Sequence, residues 1–149
     1  MIELIQKVRA FNRYYMPAMK LLGNHYLGSE YSVTEARIFF EVYENEGCQA
    51  SHIAQTMNID KSYLSRILAA YEKQGYLRRK SSATDRRAYA LYLTKKGKQR
   101  AEEFIRMSNE EIGHILGNLT EEEQRCMEAA LDTIIHLLSK GGNHEDCAL

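Results

Sequence analysis

Between Ser32 and Leu93 the apolar period changes from that of a helix to that of a strand, and after Thr94 it changes back. That succession restricts the fold more than any other feature of the chain. Ser32-Val33-Thr34-Glu35 is a capping box, in which side chain and backbone at the helix start satisfy each other's orphan groups. It opens a helix to about Glu46, with Ile38, Phe39, Val42 and Tyr43 as its inward stripe and Gly47 as its stop. A short helix follows over about Ala50–Met57, with Ile53, Ala54 and Met57 inward. Asn58-Ile59-Asp60 is a tight turn, and Asp60 caps a helix from Lys61 to Gln74 that buries Leu64, Ile67, Leu68 and Tyr71. Gly75 suits the left-handed residue just past a helix end. Two helices joined in this way form a helix-turn-helix.

The next segment alternates. Tyr76–Ser81 and Ala88–Leu93 read as short strands, joined by the polar tip Ser82-Ala83-Thr84-Asp85-Arg86-Arg87. In the second strand Tyr89, Leu91 and Leu93 share one face, and Ala88, Ala90 and Tyr92 the other. Thr94 then caps a helix to about Leu116. Gly117-Asn118 breaks it, and Thr120-Glu121-Glu122-Glu123 opens a last helix to about Lys140. Before the helix-turn-helix, residues 2–22 carry a helical stripe of Ile2, Ile5, Val8, Tyr15, Met19 and Leu22, in which Pro17 should produce a kink or an end near Met16. Gly23–Tyr31 is a loop. The expected fold is mainly α with a small β-hairpin wing. One domain spans 1–149, with a winged helix-turn-helix over about 32–93 flanked by helices over 2–22 and 94–140.

Charge is segregated along this frame. Residues 61–100 hold twelve Lys/Arg against Glu72 and Asp85, a net +10, and the other 109 residues carry −10. A basic block on a folded segment is the footprint of a phosphate-binding surface, and an acidic remainder restricts DNA to one face. The second helix of the motif is the one that enters a major groove, where all four base pairs differ. Its outward residues are Lys61, Ser62, Tyr63, Ser65 and Arg66. Arg66 suits bidentate bonding to guanine, and Arg86 and Arg87 at the hairpin tip suit a minor groove. Arg78, Arg79, Lys80, Lys95, Lys96 and Lys98 are candidate phosphate contacts.

Other classes find less support. No run of about 18 apolar residues suggests a membrane span, and no signal peptide is evident. Cys48, Cys126 and Cys147 are odd in number and widely spaced, as in reduced thiols of a cytoplasmic protein. His25, His52, His114, His136 and His144 have no clustered partners for a metal. No nucleophile–base pair, phosphate loop or cofactor motif points to an enzyme. The first and last helices, the latter with Met127, Leu131, Ile134, Ile135 and Leu138, bear apolar stripes too broad for one small domain to cover, which predicts a symmetric dimer.

Asp85-Arg86-Arg87 followed by Leu93-Thr94 and Gly97 resembles the D-x-R…L-T-x-x-G wing signature of the MarR family of winged-helix regulators. Ser62-Tyr63-Leu64-Ser65-Arg66 and Gln74-Gly75-Tyr76-Leu77 resemble its recognition helix and exit. Phe11-Asn12-Arg13-Tyr14-Tyr15 and Ser32-Val33-Thr34-Glu35-Ala36-Arg37 look most like the regulator half of MarR–acetyltransferase fusions. The resemblance implies a homodimeric transcriptional regulator, a repressor released from a pseudo-palindromic operator by a small molecule. It implies that Asp85 orients neighbouring arginines and that Arg87 is the minor-groove finger. It also implies an effector cleft between the dimer helices and the winged domain, for which Arg13, Tyr14, Tyr15, Met19, His25 and Tyr26 are candidates. The alternatives are a winged-helix protein-interaction module without an operator and a thiol-based redox regulator, although the family's peroxide-sensing branch places its cysteine near the N-terminus, where this chain has none.

Overall fold

The computed structural model describes residues 1–81 and 88–141. Six helices and one antiparallel hairpin follow in the order α1 Ile2–Ala18, a short 3-10 turn Tyr26–Gly28, α2 Val33–Glu44, α3 Ala50–Met57, α4 Lys61–Lys73, β1 Leu77–Ser81, β2 Tyr89–Leu93, α5 Lys95–Leu116 and α6 Glu121–Gly141. The expected fold class is the one observed. The wing tip, with Asp85, Arg86 and Arg87, and the tail from 142 onward, with His144 and Cys147, lie outside the described residues.

Helix starts follow the side chains that can satisfy their first amides. Ser32 Oγ accepts from the Glu35 N–H at 3.2 Å, and the Glu35 carboxylate accepts from the Ser32 N–H at 2.7 Å. Asp60 caps α4 through the Tyr63 N–H at 2.9 Å. Thr94 caps α5 through the Gly97 N–H at 3.1 Å, and Thr120 and Glu123 close a second reciprocal box on α6. Three helix ends use one device, a left-handed residue that lets the next amides turn back onto the last carbonyls. At α4 the residue is Gly75, with the Tyr76 N–H on the Tyr71 carbonyl and the Gly75 N–H on the Glu72 carbonyl. At α3 it is Asn58, which makes the turn of the helix-turn-helix.

At α1 the left-handed residue is Lys20, with the Leu21 N–H on the Met16 carbonyl. The first helix is therefore shorter than the apolar stripe suggests. Pro17 sits in its last turn rather than kinking its middle, and the chain leaves the helix four residues before Leu22.

The core lies where α2, α4, α5 and the hairpin meet. Phe39, fully buried, stacks on Tyr71 with ring centroids 4.1 Å apart and meets Tyr31 and Tyr76 edge-on. Ile38, Val42, Ile53, Leu64, Leu68 and Leu91 complete it. Leu77 pairs with Leu93 and Arg79 with Leu91 in the hairpin register. Gly47 donates to the Leu91 carbonyl, and the Leu91 N–H donates to Cys48. Residues 47–49 thus add a third edge to the wing, too short for a period-two pattern to reveal.

Gly97 is fixed by packing. A Cβ there would collide with the Tyr76 carbonyl oxygen. That close approach brings α5 against the exit of α4, where Thr94 Oγ1 donates to the Gly75 carbonyl at 2.7 Å. No residue of α1 or of α6 is buried. Ile2 is 75% and Leu138 66% exposed. Among the described residues no helix is long and apolar enough to cross a membrane.

Candidate nucleic-acid interface

The helix-turn-helix presents α4 along one open face. Lys61, Ser62, Ser65 and Arg66 are all exposed, while Leu64, Ile67, Leu68 and Tyr71 bury the opposite side. Helical spacing places the four polar residues together. Tyr63 differs from the expected outward position: it is half-buried and packs against the core.

The basic residues of the hairpin divide by strand parity. Arg78 and Lys80 point to the outer face, where both approach the Tyr92 ring, at 5.6 and 5.2 Å from its centroid. Arg79 shares the face of buried Leu77 and meets Glu72 of α4 at 3.3 Å. Lys95 is exposed at the start of α5. Lys96 donates to the Gln74 carbonyl at 2.8 Å and lies over the Tyr76 ring. Lys98 pairs with Glu46 at 3.0 Å, and Arg100 with Glu30 and Glu103. Part of the basic block therefore has internal work. Glu72, Gln74 and Tyr76 matter to this surface although local sequence does not mark them as site residues; the shared parity of Leu77 and Arg79 is the one signal that points to the first of them.

The candidate effector residues separate. Tyr15 and Tyr26 line a cavity of about 500 Å³ whose wall includes Arg37, Phe40 and Phe104. The Tyr26 hydroxyl donates to Ser108 Oγ at 3.2 Å. Arg37, the cation of this wall, is tied to the buried Glu41 at 3.1 Å. His25 lines a neighbouring cavity of about 460 Å³ with Lys20 and Glu111. Arg13 and Tyr14 lie exposed on α1, and Met19 is half-buried; none of these three lines either cavity. Arg37 and Phe40 escape a reading of the sequence because they sit off the core stripe of α2.

Among the thiols, burial pushes Cys48 up, and Glu41 adds to the effect. That leaves little thiolate near neutrality. Cys126 is exposed on α6.

The MarR family model matches residues 30–88, from the loop before α2 through β1 to the residue before β2. Two curated proteins align over 71 and 90 residues. The HTH-type transcriptional regulator BilQ of Clostridioides difficile (strain CD3) is 27% identical over 71 residues, covering 46% of this chain and 48% of that protein. A putative transcriptional regulatory protein for the hcr operon of Thauera aromatica is 31% identical over 90 residues, covering 52% and 54%. The chain thus spans about half the length of these relatives. The fold is shared over more of the molecule. Streptococcus pneumoniae FabT, solved in complex with DNA, superposes with a TM-score of 0.69 at 21% identity over 95% of this chain and 97% of that one. A MarR variant from E. coli, solved with operator DNA, superposes with a TM-score of 0.71 at 19% identity over 89% and 95%. The matched segment contains the capped helix-turn-helix and the first strand of the basic hairpin described above, and over those residues this chain is similar to the MarR family of winged-helix regulators.

Proposed function

We propose that this chain is a sequence-specific, DNA-binding transcriptional regulator that works as a homodimer, and that it is a repressor released by a small molecule. The observation that carries the DNA reading is the exposed row Lys61, Ser62, Ser65 and Arg66 on α4, beside the outward cations of β1, in a chain whose charge elsewhere is acidic. Relatives of the same fold solved on DNA support it. In this reading α4 enters the major groove and Arg66 bonds a guanine edge. Arg78, Lys80 and Lys95 meet phosphates, and Arg86 and Arg87 at the wing tip reach the minor groove, with Asp85 orienting them. The exposed apolar stripes of α1 and α6 favour a two-fold dimer, which sets two recognition helices one helical turn of DNA apart. The cavity beside Tyr15 and Tyr26 supports effector binding between the winged domain and α1. An effector acts there by binding the two dimer geometries unequally.

Fluorescence-anisotropy titration against the DNA upstream of the chain's own gene, with a scrambled duplex as control, tests the reading. Operator binding at least about a thousandfold above the control is expected. Arg66→Ala should weaken operator binding by about 1–3 kcal/mol and relax selectivity at one base pair. Equal, steeply salt-dependent binding to both duplexes would refute sequence-specific regulation at that site.

A further inference from the structure

Two cations of the basic block are already engaged at one place, the C-terminal end of α4. Arg79 Nε lies 3.3 Å from the Glu72 carboxylate, an ion-pair distance without hydrogen-bond geometry, on the strand face that looks inward. Lys96 Nζ lies 2.8 Å from the Gln74 carbonyl and 4.4 Å above the Tyr76 ring. Thr94 Oγ1 binds the Gly75 carbonyl, and its N–H binds the Tyr76 carbonyl. The last carbonyls of a helix have no partners within it and carry the negative end of its dipole, so a lysine ammonium there is held by both effects. Gln74 stands twelve residues beyond Ser62, roughly 18 Å along the axis. The Lys96 charge is thus at the far end of the helix from the residues that would face bases.

We propose that Arg79 and Lys96 are positioning residues. With Thr94 they clamp the last turn of α4 to the wing base and α5, so that recognition helix and wing meet DNA as one body, and neither cation contacts a phosphate. The proposal rests on the DNA-binding reading above and assigns different work to two residues that the sequence alone marks as candidate phosphate contacts.

Salt dependence separates the roles, because removing one phosphate-binding cation lowers the log–log slope by about 0.9. The probe is a mixed-sequence duplex of about 30 bp, titrated from about 50 to 200 mM salt with the full chain. Lys95→Ala should lower the slope by about 0.9 per protomer. Arg79→Ala and Lys96→Ala should leave the slope unchanged and weaken binding roughly three- to tenfold. Glu72→Gln gives a test of opposite sign. Removing an acid beside DNA strengthens binding if only charge matters, and weakens it if Glu72 holds Arg79 in place. Tighter binding by Glu72→Gln, or slopes for Arg79→Ala and Lys96→Ala that fall as for Lys95→Ala, overturns the proposal. Hydrogen exchange in the DNA-free protein supplies a second readout. The Gly75 and Tyr76 amides, bonded to Glu72 and Tyr71 carbonyls, should exchange at least tenfold faster in Arg79→Ala and Lys96→Ala. Unchanged exchange there also overturns it. A wild-type chain that ignores the duplex defeats the DNA-binding reading itself, and the exchange result still decides whether the clamp exists.

Discussion

Gly97 and Tyr71 show how single residues set the geometry of the exposed helix. Gly97→Ala places a methyl group against the Tyr76 carbonyl, backbone that Thr94 holds from two sides. With nothing flexible to yield, the substitution should cost about 2 kcal/mol or more, seen as a fall of several degrees in Tm at fixed protein concentration. A wild-type Tm would mean that α5 can slide along the hairpin. Tyr71 donates its hydroxyl to the Glu35 carbonyl at 2.8 Å, and burial pushes its pKa far up. Burial also pushes Tyr31, beside it, up to about 12. A raised pKa means the folded state holds its proton after the unfolded chain has released it. The contribution is complete below about pH 10, the unperturbed value, and is lost as pH climbs through the folded value. Urea midpoints should therefore fall from about pH 10 upward. Tyr71→Phe should lower stability at pH 7 by about 1 kcal/mol and flatten the alkaline fall. An alkaline slope identical to wild type would remove Tyr71 as its source.

At the scale of elements, the helix-turn-helix is the most legible part of the chain because each boundary is made by local chemistry. Ser32, Asp60, Thr94 and Thr120 cap the helices they precede through their side-chain oxygens, and Gly75, free of a Cβ, turns the chain out of α4. The length of α1 is less legible. An apolar stripe continues through Leu22, whereas Pro17 signals an end near Met16; the helix ends at Ala18, and the left-handed Lys20, a residue with no special preference for that conformation, turns the chain out. The wing edge at 47–49 and the clamp on α4 depend on partners far along the chain, so local pattern holds no record of them. The effector candidates are dispersed for the same reason: the cavity is walled mainly by α2 and α5, with Tyr15 the one residue of α1. The apolar surfaces of α1 and α6 are visible in the sequence, and both remain open in a single chain. Burying a leucine-sized side chain is worth about 1.5–3 kcal/mol. Leu131→Glu with Ile135→Glu should therefore turn a dimer into a monomer in light scattering while far-ultraviolet circular dichroism keeps its helical signal. A variant that keeps the dimer mass would exclude this face of α6 from the interface.

For the whole molecule, zero net charge conceals two opposed halves, +10 over residues 61–100 and −10 over the rest. Long-range attraction to DNA by net charge is absent, so any attraction must come from local field. At physiological salt that field decays over about 8 Å. The cations that matter are then those within about one such length of the phosphates, Lys61, Arg66, Arg78, Lys80, Arg86, Arg87 and Lys95 in the reading above. Lys140, at the far end of α6, lies outside this set. Lys140→Glu and Lys61→Glu change the net charge equally, which makes them a matched pair. Net charge as the driving quantity predicts equal losses of duplex affinity. A local interface predicts that Lys140→Glu leaves both affinity and salt slope at wild-type values. Lys61→Glu should then lower the slope by about 0.9 per protomer and weaken binding to mixed-sequence DNA at least tenfold. Comparable losses in the two variants would mean that DNA approaches without a preferred face, and α4 would lose its place as the recognition element.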